Sequence, residues 1–367
     1  MENTLQSFEK ELDELRHYIQ GLELESRLIS SEVDKKSQTE CESLVSEYQK
    51  YILAARKKKQ QFEYNSIIVS LYGFLEQFVE SLIESYLKQL NVIIPVYSAL
   101  PEAITKNYID ISVEFMKYIE ESKYKEKEFV TKKQLISDLY SCISNSAGYR
   151  INPYPFIHHT ANFWPDVIAS SFASVGVRNV SGRVIKCPVF TRYLKEKDPA
   201  SVDHTEPNLA LSDLNHLIER RNKVAHGEPP VQLLDNITIL ENYIPLFEAY
   251  GKALYEVVYS EVLKYEVKYN GTELGSPIKI FKQGKVVGIS VKETTIKVGD
   301  LLVAKTANDI LPYIAGKIME LQVENVSYRE VPASLAGVDI GISVPFRAKE
   351  NHTFFLVRKT NKRNAVS

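Results

Sequence analysis

The chain of 367 residues contains only three cysteines, Cys41, Cys142 and Cys187. They are odd in number, far apart and without CxxC spacing. This excludes a disulfide scaffold and a thiolate zinc site, and it fits a reducing, cytoplasmic setting. An excess of charge of one sign is also missing: 45 Lys and Arg stand against 47 Asp and Glu, a net charge of −2. A protein that coats nucleic acid through a global positive field is therefore excluded, and nucleic-acid binding has to come from a local patch. Long hydrophobic runs are missing too. The most apolar, 67–75, is too short and too interrupted to span a bilayer, so no membrane partner is expected. The N-terminus begins acidic and helical, without the basic and apolar regions of a secretion signal. No GxxxxGK[ST] loop occurs, which excludes a P-loop nucleotidase, and no G-x-S-x-G elbow supports a serine hydrolase. His158 and His159, with Cys187 and His204, lack zinc-ligand spacing, and adjacent histidines point apart. Neither a metal nor a cofactor is expected.

What is present reads as a soluble globular protein, with 44% hydrophobic and 25% charged residues and room for more than one domain. Leu5, Phe8, Leu12, Leu15, Ile19 and Leu22 recur at spacings of three and four, the narrow seam of a coiled-coil-like helix. That seam packs either in a hairpin on its own domain or against another chain. A second helical stretch covers 40–60 and ends in the basic run Arg56-Lys57-Lys58-Lys59. This run is either a solvated face or a phosphate-facing patch. A third helix is expected over 64–90, from Ile67, Ile68, Leu71, Leu75, Phe78, Val79, Leu82 and Ile83. Glu76 sits inside that stripe. A buried carboxylate is costly unless paired, so Glu76 either meets an arginine or lies at the stripe's edge in water.

The region 91–208 is broken by Asn152-Pro153-Tyr154-Pro155 and Ser181-Gly182. Short helices are expected over 111–121, 132–144 and 164–173, and a β-excursion over 177–193. A helix then begins near Ser212, a good N-cap, with Asp213 in its first turn. Gly227 falls where a left-handed C-terminal cap belongs, and Glu228-Pro229-Pro230 stops the helix. A further helix covers 233–267, with Pro245 as a kink. Asn270-Gly271 and Gly275-Ser276-Pro277 read as a linker. Beyond it, short strands over 286–291, 301–305, 317–323, 341–344 and 354–358 suggest a small antiparallel barrel. The tail after Thr360 looks loose.

The helix ending at Gly227 carries the chemistry. Asn222 and His226 are four apart and share a face. Arg221 is about 140° away around the helix, at roughly 100° per residue, but its long side chain can sweep towards the same pocket. His226 lies in the last turn, where the helix dipole favours imidazolium. An arginine for phosphate and a histidine that titrates near neutrality are the minimum parts for RNA cleavage without a metal. A 2′-hydroxyl attacks the adjacent phosphate, His226 moves a proton, Arg221 holds the non-bridging oxygens, and Asn222 orients the phosphate or His226. One helix supplies one histidine, whereas the reaction benefits from an acid and a base. A homodimer sharing one cleft is therefore expected.

The string Arg221-Asn222-Lys223-Val224-Ala225-His226-Gly227, after an apolar helix and before a stop, resembles the HEPN signature: Arg, a polar residue, a short spacer, then His. The upstream stretch from Tyr64 to Glu76 is similar to the first core helix of stand-alone bacterial HEPN proteins. The resemblance implies an α-helical bundle, dimerisation through the motif helices, and metal-independent endoribonuclease activity. Many relatives are toxins or phage-defence effectors, which implies an antitoxin or defence-system partner. Arg221, Asn222 and His226 take the signature positions, and Glu76 that of an occasional acidic partner. Arg56, Lys57, Lys58, Lys59, Arg220 and Lys223 are candidate RNA-binding residues. The tyrosine that follows the histidine in some toxin members is absent, because Glu228 stands there. Some members of that family bind RNA without cutting it, and this chain is either a ribonuclease or such a binding module.

At the C-terminal end, Gly284-Lys285-Val286-Val287-Gly288-Ile289 and Thr295-Ile296-Lys297-Val298-Gly299-Asp300-Leu301-Leu302-Val303 resemble domain II of translational GTPases such as elongation factor Tu. Ala336-Gly337-Val338-Asp339-Ile340-Gly341-Ile342 fits a later strand of that domain. The resemblance favours tRNA or rRNA as substrate, while a packing or protein-interaction role stays open. The expected fold is α+β and multidomain. A helical extension occupies 1–60. An all-α HEPN-like bundle follows over 61–268, with an insert at about 95–205. The antiparallel barrel covers 278–360.

Overall fold

A computed structural model describes residues 1–30, 40–121, 130–145, 148–159, 162–197, 207–228, 232–334 and 336–358. The expected loose tail after Thr360 and the candidate ligand His204 lie outside these residues. Helices come first: α1 (Glu2–Ser30), α2 (Glu40–Ile93), α3 (Glu102–Glu121), α4 (Lys132–Ile143), α5 (Tyr154–Ile157), α6 (Pro165–Ser174), α7 (Val180–Lys186), α8 (Pro188–Lys197), α9 (Pro207–Ala210), α10 (Ser212–Ala225), α11 (Asn236–Thr238) and α12 (Ile244–Asn270). Among the described residues eleven strands follow, from β1 (Gly271–Gly275) to β11 (Thr353–Val357). The fold is α+β, with a helical N-terminal region and antiparallel sheets at the C-terminal end.

Two compact units divide the chain, one of 1–82, 159–170 and 188–255, the other of 83–158, 171–187 and 256–367. In the first unit the α1 seam is buried as its spacing predicts: Phe8, Leu12 and Ile19 are 0–1% exposed. Phe8 stacks on Phe78 of α2 with ring centroids 4.4 Å apart. Gly251 of α12 allows this approach, because a Cβ there would lie 2.4 Å from the Phe8 ring. The seam therefore packs within its own unit. The two helices expected over 40–60 and 64–90 are one helix, α2, since nothing between Gln60 and Tyr64 breaks helical backbone. By length and composition α2 contains a stretch apolar enough to cross a membrane, and half of that stretch is buried in the protein.

The expected β-excursion over 177–193 is absent. Helices α7 and α8 occupy that stretch. Arg183 lies buried on α7, donating to Glu261 (2.7 Å) and to the Ile310 carbonyl (2.9 Å). Helical spacing of Val180, Val184 and Ile185 around that arginine replaces the period of two. The expected linker at 270–277 is also partly strand, because β1 pairs antiparallel with β11.

The remaining strands are β2 (Lys279–Phe281), β3 (Val286–Val291), β4 (Ile296–Lys297), β5 (Leu301–Lys305), β6 (Tyr313–Lys317), β7 (Glu320–Val323), β8 (Val326–Tyr328), β9 (Glu330–Val331) and β10 (Val338–Ser343). They form sheets of order β1-β11-β5-β6 and β2-β3-β10-β7-β8, with a β4-β9 pair. The pairing is antiparallel as expected, but among the described residues the strands do not close into a barrel. Alternation explains the arrangement. Leu302, Ala304, Phe354 and Leu356 point into one cluster with Val287, Ile289, Ile340 and Ile342 of the other sheet. Val303 and Val357 point the other way, onto Leu263 of α12. A sheet covered on both faces reads as a continuous apolar run, as Leu301-Leu302-Val303-Ala304 does.

Candidate functional site

The site is built on α10, whose Leu214, Leu217 and Ile218 are buried at helical spacing. Arg221 follows Leu217 by four and Ile218 by three, so it leaves the helix at the margin of the buried face and is partly buried. Its guanidinium carbon lies 4.4 Å from the centre of the Tyr72 ring on α2. One guanidinium nitrogen, Nη1, donates to Asn162 Oδ1 at 2.9 Å and faces Asn222 Oδ1 at 3.4 Å. Asn162 Nδ2 in turn donates to Asn222 Oδ1 at 2.8 Å. The two asparagine oxygens are thereby turned towards the cation. The Tyr72 hydroxyl accepts from the Phe163 backbone N–H at 3.0 Å, and its proton faces Asn162 Oδ1 and Glu76 Oε1 at 3.4 and 3.5 Å.

Glu76 belongs to the same cluster without being the arginine's partner. Among the described residues no ion pair joins it to Arg221. Its Oε1 lies 3.8 Å from His159 Nε2, which bonds Glu80 Oε1 at 3.0 Å. The His159 ring packs on Phe163 with centroids 4.0 Å apart. Both sequence alternatives for Glu76 are thus revised: it is half-buried, and the basic group that reaches it is the His159 imidazole. Burial raises its pKa, and the nearby Glu80 adds to this, while His159, Arg221 and the Tyr72 hydroxyl oppose it. Burial likewise raises the Tyr72 phenol.

His226 is the C-cap residue of α10, and its side chain is exposed. Its N–H bonds Asn222 O at 3.0 Å. Gly227 has φ +70°, as the cap position predicts. Gly227 N–H reaches Val224 O (3.1 Å) and Glu228 N–H reaches Lys223 O (2.9 Å), a Schellman motif. This cap fixes the backbone on which the imidazole stands. At the other end the expected N-cap is displaced. Leu211 holds that position without a side-chain bond, because α9 runs almost directly into α10. Ser212 is already helical, and Asp213 in the first turn pairs with Lys197.

The basic candidates separate. Lys59 bonds Glu25 at 2.8 Å and Glu63 at 3.3 Å. Arg220 donates to Tyr64 Oη (3.0 Å) and to the Gln232 carbonyl (2.8 Å). Arg56, Lys57, Lys58 and Lys223 are exposed. Of the imagined zinc ligands, His158 packs on Tyr118 with centroids 3.9 Å apart, His159 takes part in the carboxylate cluster, and Cys187 is buried. Sequence reasoning passed over Asn162, Tyr72 and the role of His159. Tyr72 stands one turn before Glu76, which was a usable signal. Nothing in a single sequence ties Asn162 to an arginine 59 residues later.

Residues 35–260 match the family described as RiboL-PSP-HEPN. No curated protein matches the chain. Among solved structures, GDP-bound aIF5B from Aeropyrum pernix is matched at 16% identity with a TM-score of 0.19, covering 48% of this chain and 28% of that one. The chain therefore spans under a third of that structure's length, and a superposition this loose carries no argument about fold or function.

Proposed function

Because the chain belongs to the RiboL-PSP-HEPN family, we propose that it is an endoribonuclease that cuts RNA without needing a metal. The observation that carries this reading is the single helix α10. It presents Arg221, oriented by two asparagines and a tyrosine face, and ends at the exposed, cap-held His226. The 2′-oxygen attacks the neighbouring phosphorus as His226 takes its proton. The 5′-oxygen leaves and receives a proton from a second acid. The products are a 2′,3′-cyclic phosphate and a 5′-hydroxyl. Arg221 has five N–H donors, and those of Nη2 and Nε remain for the phosphate oxygens while Nη1 is held by the asparagines. A homodimer through the α10 helices supplies the second histidine. DNA, lacking the attacking hydroxyl, is spared. The strand motifs similar to translation-factor domain II favour tRNA or rRNA, and the family's defence members favour a cytoplasmic toxin or anti-phage role with an antitoxin or defence partner.

The test is incubation of the purified chain with total RNA in EDTA, followed by sequencing and end analysis. Cyclic phosphate ends are expected from wild type. Cutting should fall at least 100-fold in His226→Ala and in Arg221→Ala, with dimerisation kept (about 10²-fold or more for a lost acid–base or charge-stabilising group). Equal cutting by His226→Ala would sink the reading. A second reading, a non-catalytic RNA-binding module, is favoured by the half-buried and hydrogen-bonded state of Arg221. It predicts RNA binding by the wild type without any product ends.

A further inference from the structure

Between Glu47 and Glu63 the chain has no acidic residue and five cations, Lys50, Arg56, Lys57, Lys58 and Lys59, in a protein of net charge −2. The structure places all of them on α2. Lys59 is committed to Glu25 and Glu63 of its own unit. Lys50, Arg56, Lys57 and Lys58 are exposed, and among the described residues they have no ion-pair partner. Two large aromatic rings stand in the same stretch, Tyr51 at 70% and Phe62 at 73% exposure. Tyr48, by contrast, turns to α1 and bonds Glu25. At roughly 100° per residue, Tyr51, Lys58, Phe62 and Val69 fall within about 40° of one another, and Glu76 lies in the same sector. Because α2 is one uninterrupted helix, this face runs straight to the Tyr72–Glu76 end of the arginine site. At ~1.5 Å per residue it is about 37 Å from Tyr51 to Glu76, on the order of ten stacked nucleotides at ~3.4 Å each.

We propose that this face of α2 is a binding track for single-stranded RNA. Tyr51 and Phe62 stack on bases, while Lys58, between them on the same face, meets the phosphates. Two exposed rings with an unpaired cation between them suit a strand with free base faces and a charged backbone. Lys58 is an exposed cation without an ion-pair partner among the described residues, which a polyanion meets favourably. The direction of the track, towards Arg221, rests on the ribonuclease reading. Its chemistry as a binding surface does not.

The test uses the full chain carrying His226→Ala, so that the probe survives, and follows fluorescence anisotropy with end-labelled RNAs. The probes are a 12-nucleotide single strand, a 4-nucleotide single strand and a 12-base-pair duplex. We expect Tyr51→Ala and Phe62→Ala each to weaken binding of the 12-nucleotide strand about tenfold, and Phe62→Trp to retain it. Lys58→Glu should weaken binding and flatten its salt dependence. The short strand should respond little, and the duplex should bind more weakly than the long strand. Unchanged binding by both alanine variants would overturn the track, as would equal binding of the duplex. So would a Phe62→Ala chain that sediments as a smaller species than its parent, because the face would then join protein to protein. Cleavage by the His226-intact chain is scored separately. Cutting with a track that fails leaves the nuclease reading standing, and an aromatic-dependent track on a chain that never cuts leaves only the track.

Discussion

Glu76 shows how a single group is set by its surroundings. Burial disfavours its charge, and the flanking Glu80 does the same, so its pKa lies above the ordinary carboxylate value despite His159 and Arg221. Below the unfolded-state pKa both folded and unfolded chains hold the proton, and no penalty exists. As pH rises past that point the unfolded chain releases its proton first. The penalty on the folded state therefore grows until pH passes the raised value and persists in full above it. Glu76→Gln should accordingly melt above wild type at pH 7, with the gap closing towards pH 4. A melt series showing a constant gap, or the opposite sign, would contradict this. The carboxylate's unusual position was visible in the sequence, because it interrupts an apolar stripe. Its partner was not, because His159 reaches it from 79 residues beyond Glu80. The same limit hid Asn162, whose side chain gains meaning only once Arg221 lies beside it.

Elements were legible where local physics decides them. The α10 stop was readable from Gly227, since only a residue tolerant of positive φ closes a helix in this way. Gly227→Ala meets no atom within 4 Å, so its cost is backbone strain alone, about 1 kcal/mol. We expect a matching fall in the urea midpoint, a smaller fall for Gly227→Asn, and a loss of cutting greater than the loss of stability, because His226 is the preceding residue. The start of α10 was misread because a strong capping residue, Ser212, was outweighed by the helical turn before it. Pro245 was expected to kink one long helix. Instead a π turn, Ile239–Tyr243, precedes it, and the Ile244 N–H bonds Ile239 O. Widening the turn is one way a helix accommodates a residue without an N–H. The α7–α8 stretch was misread as strand because short apolar runs fit either period until their burial is known.

At the scale of the molecule, the α+β class and the positions of β3 and β5 followed from composition and alternation, and β5 was readable because its apolar run is unbroken. That the strands form separate sheets rather than the expected barrel was not readable, since strand order depends on pairing between distant segments such as β1 with β11. That pairing sets a deuterium clock. Strands β5 and β11 are enclosed by a facing sheet on one side and by α12 on the other. Water reaches their amides only when the second unit opens as a whole. In native-state exchange their N–H groups should be the last to take up label in that unit, at a rate set by global opening. The amides of the edge strand β8, whose three residues are all solvent-facing, should be spent long before.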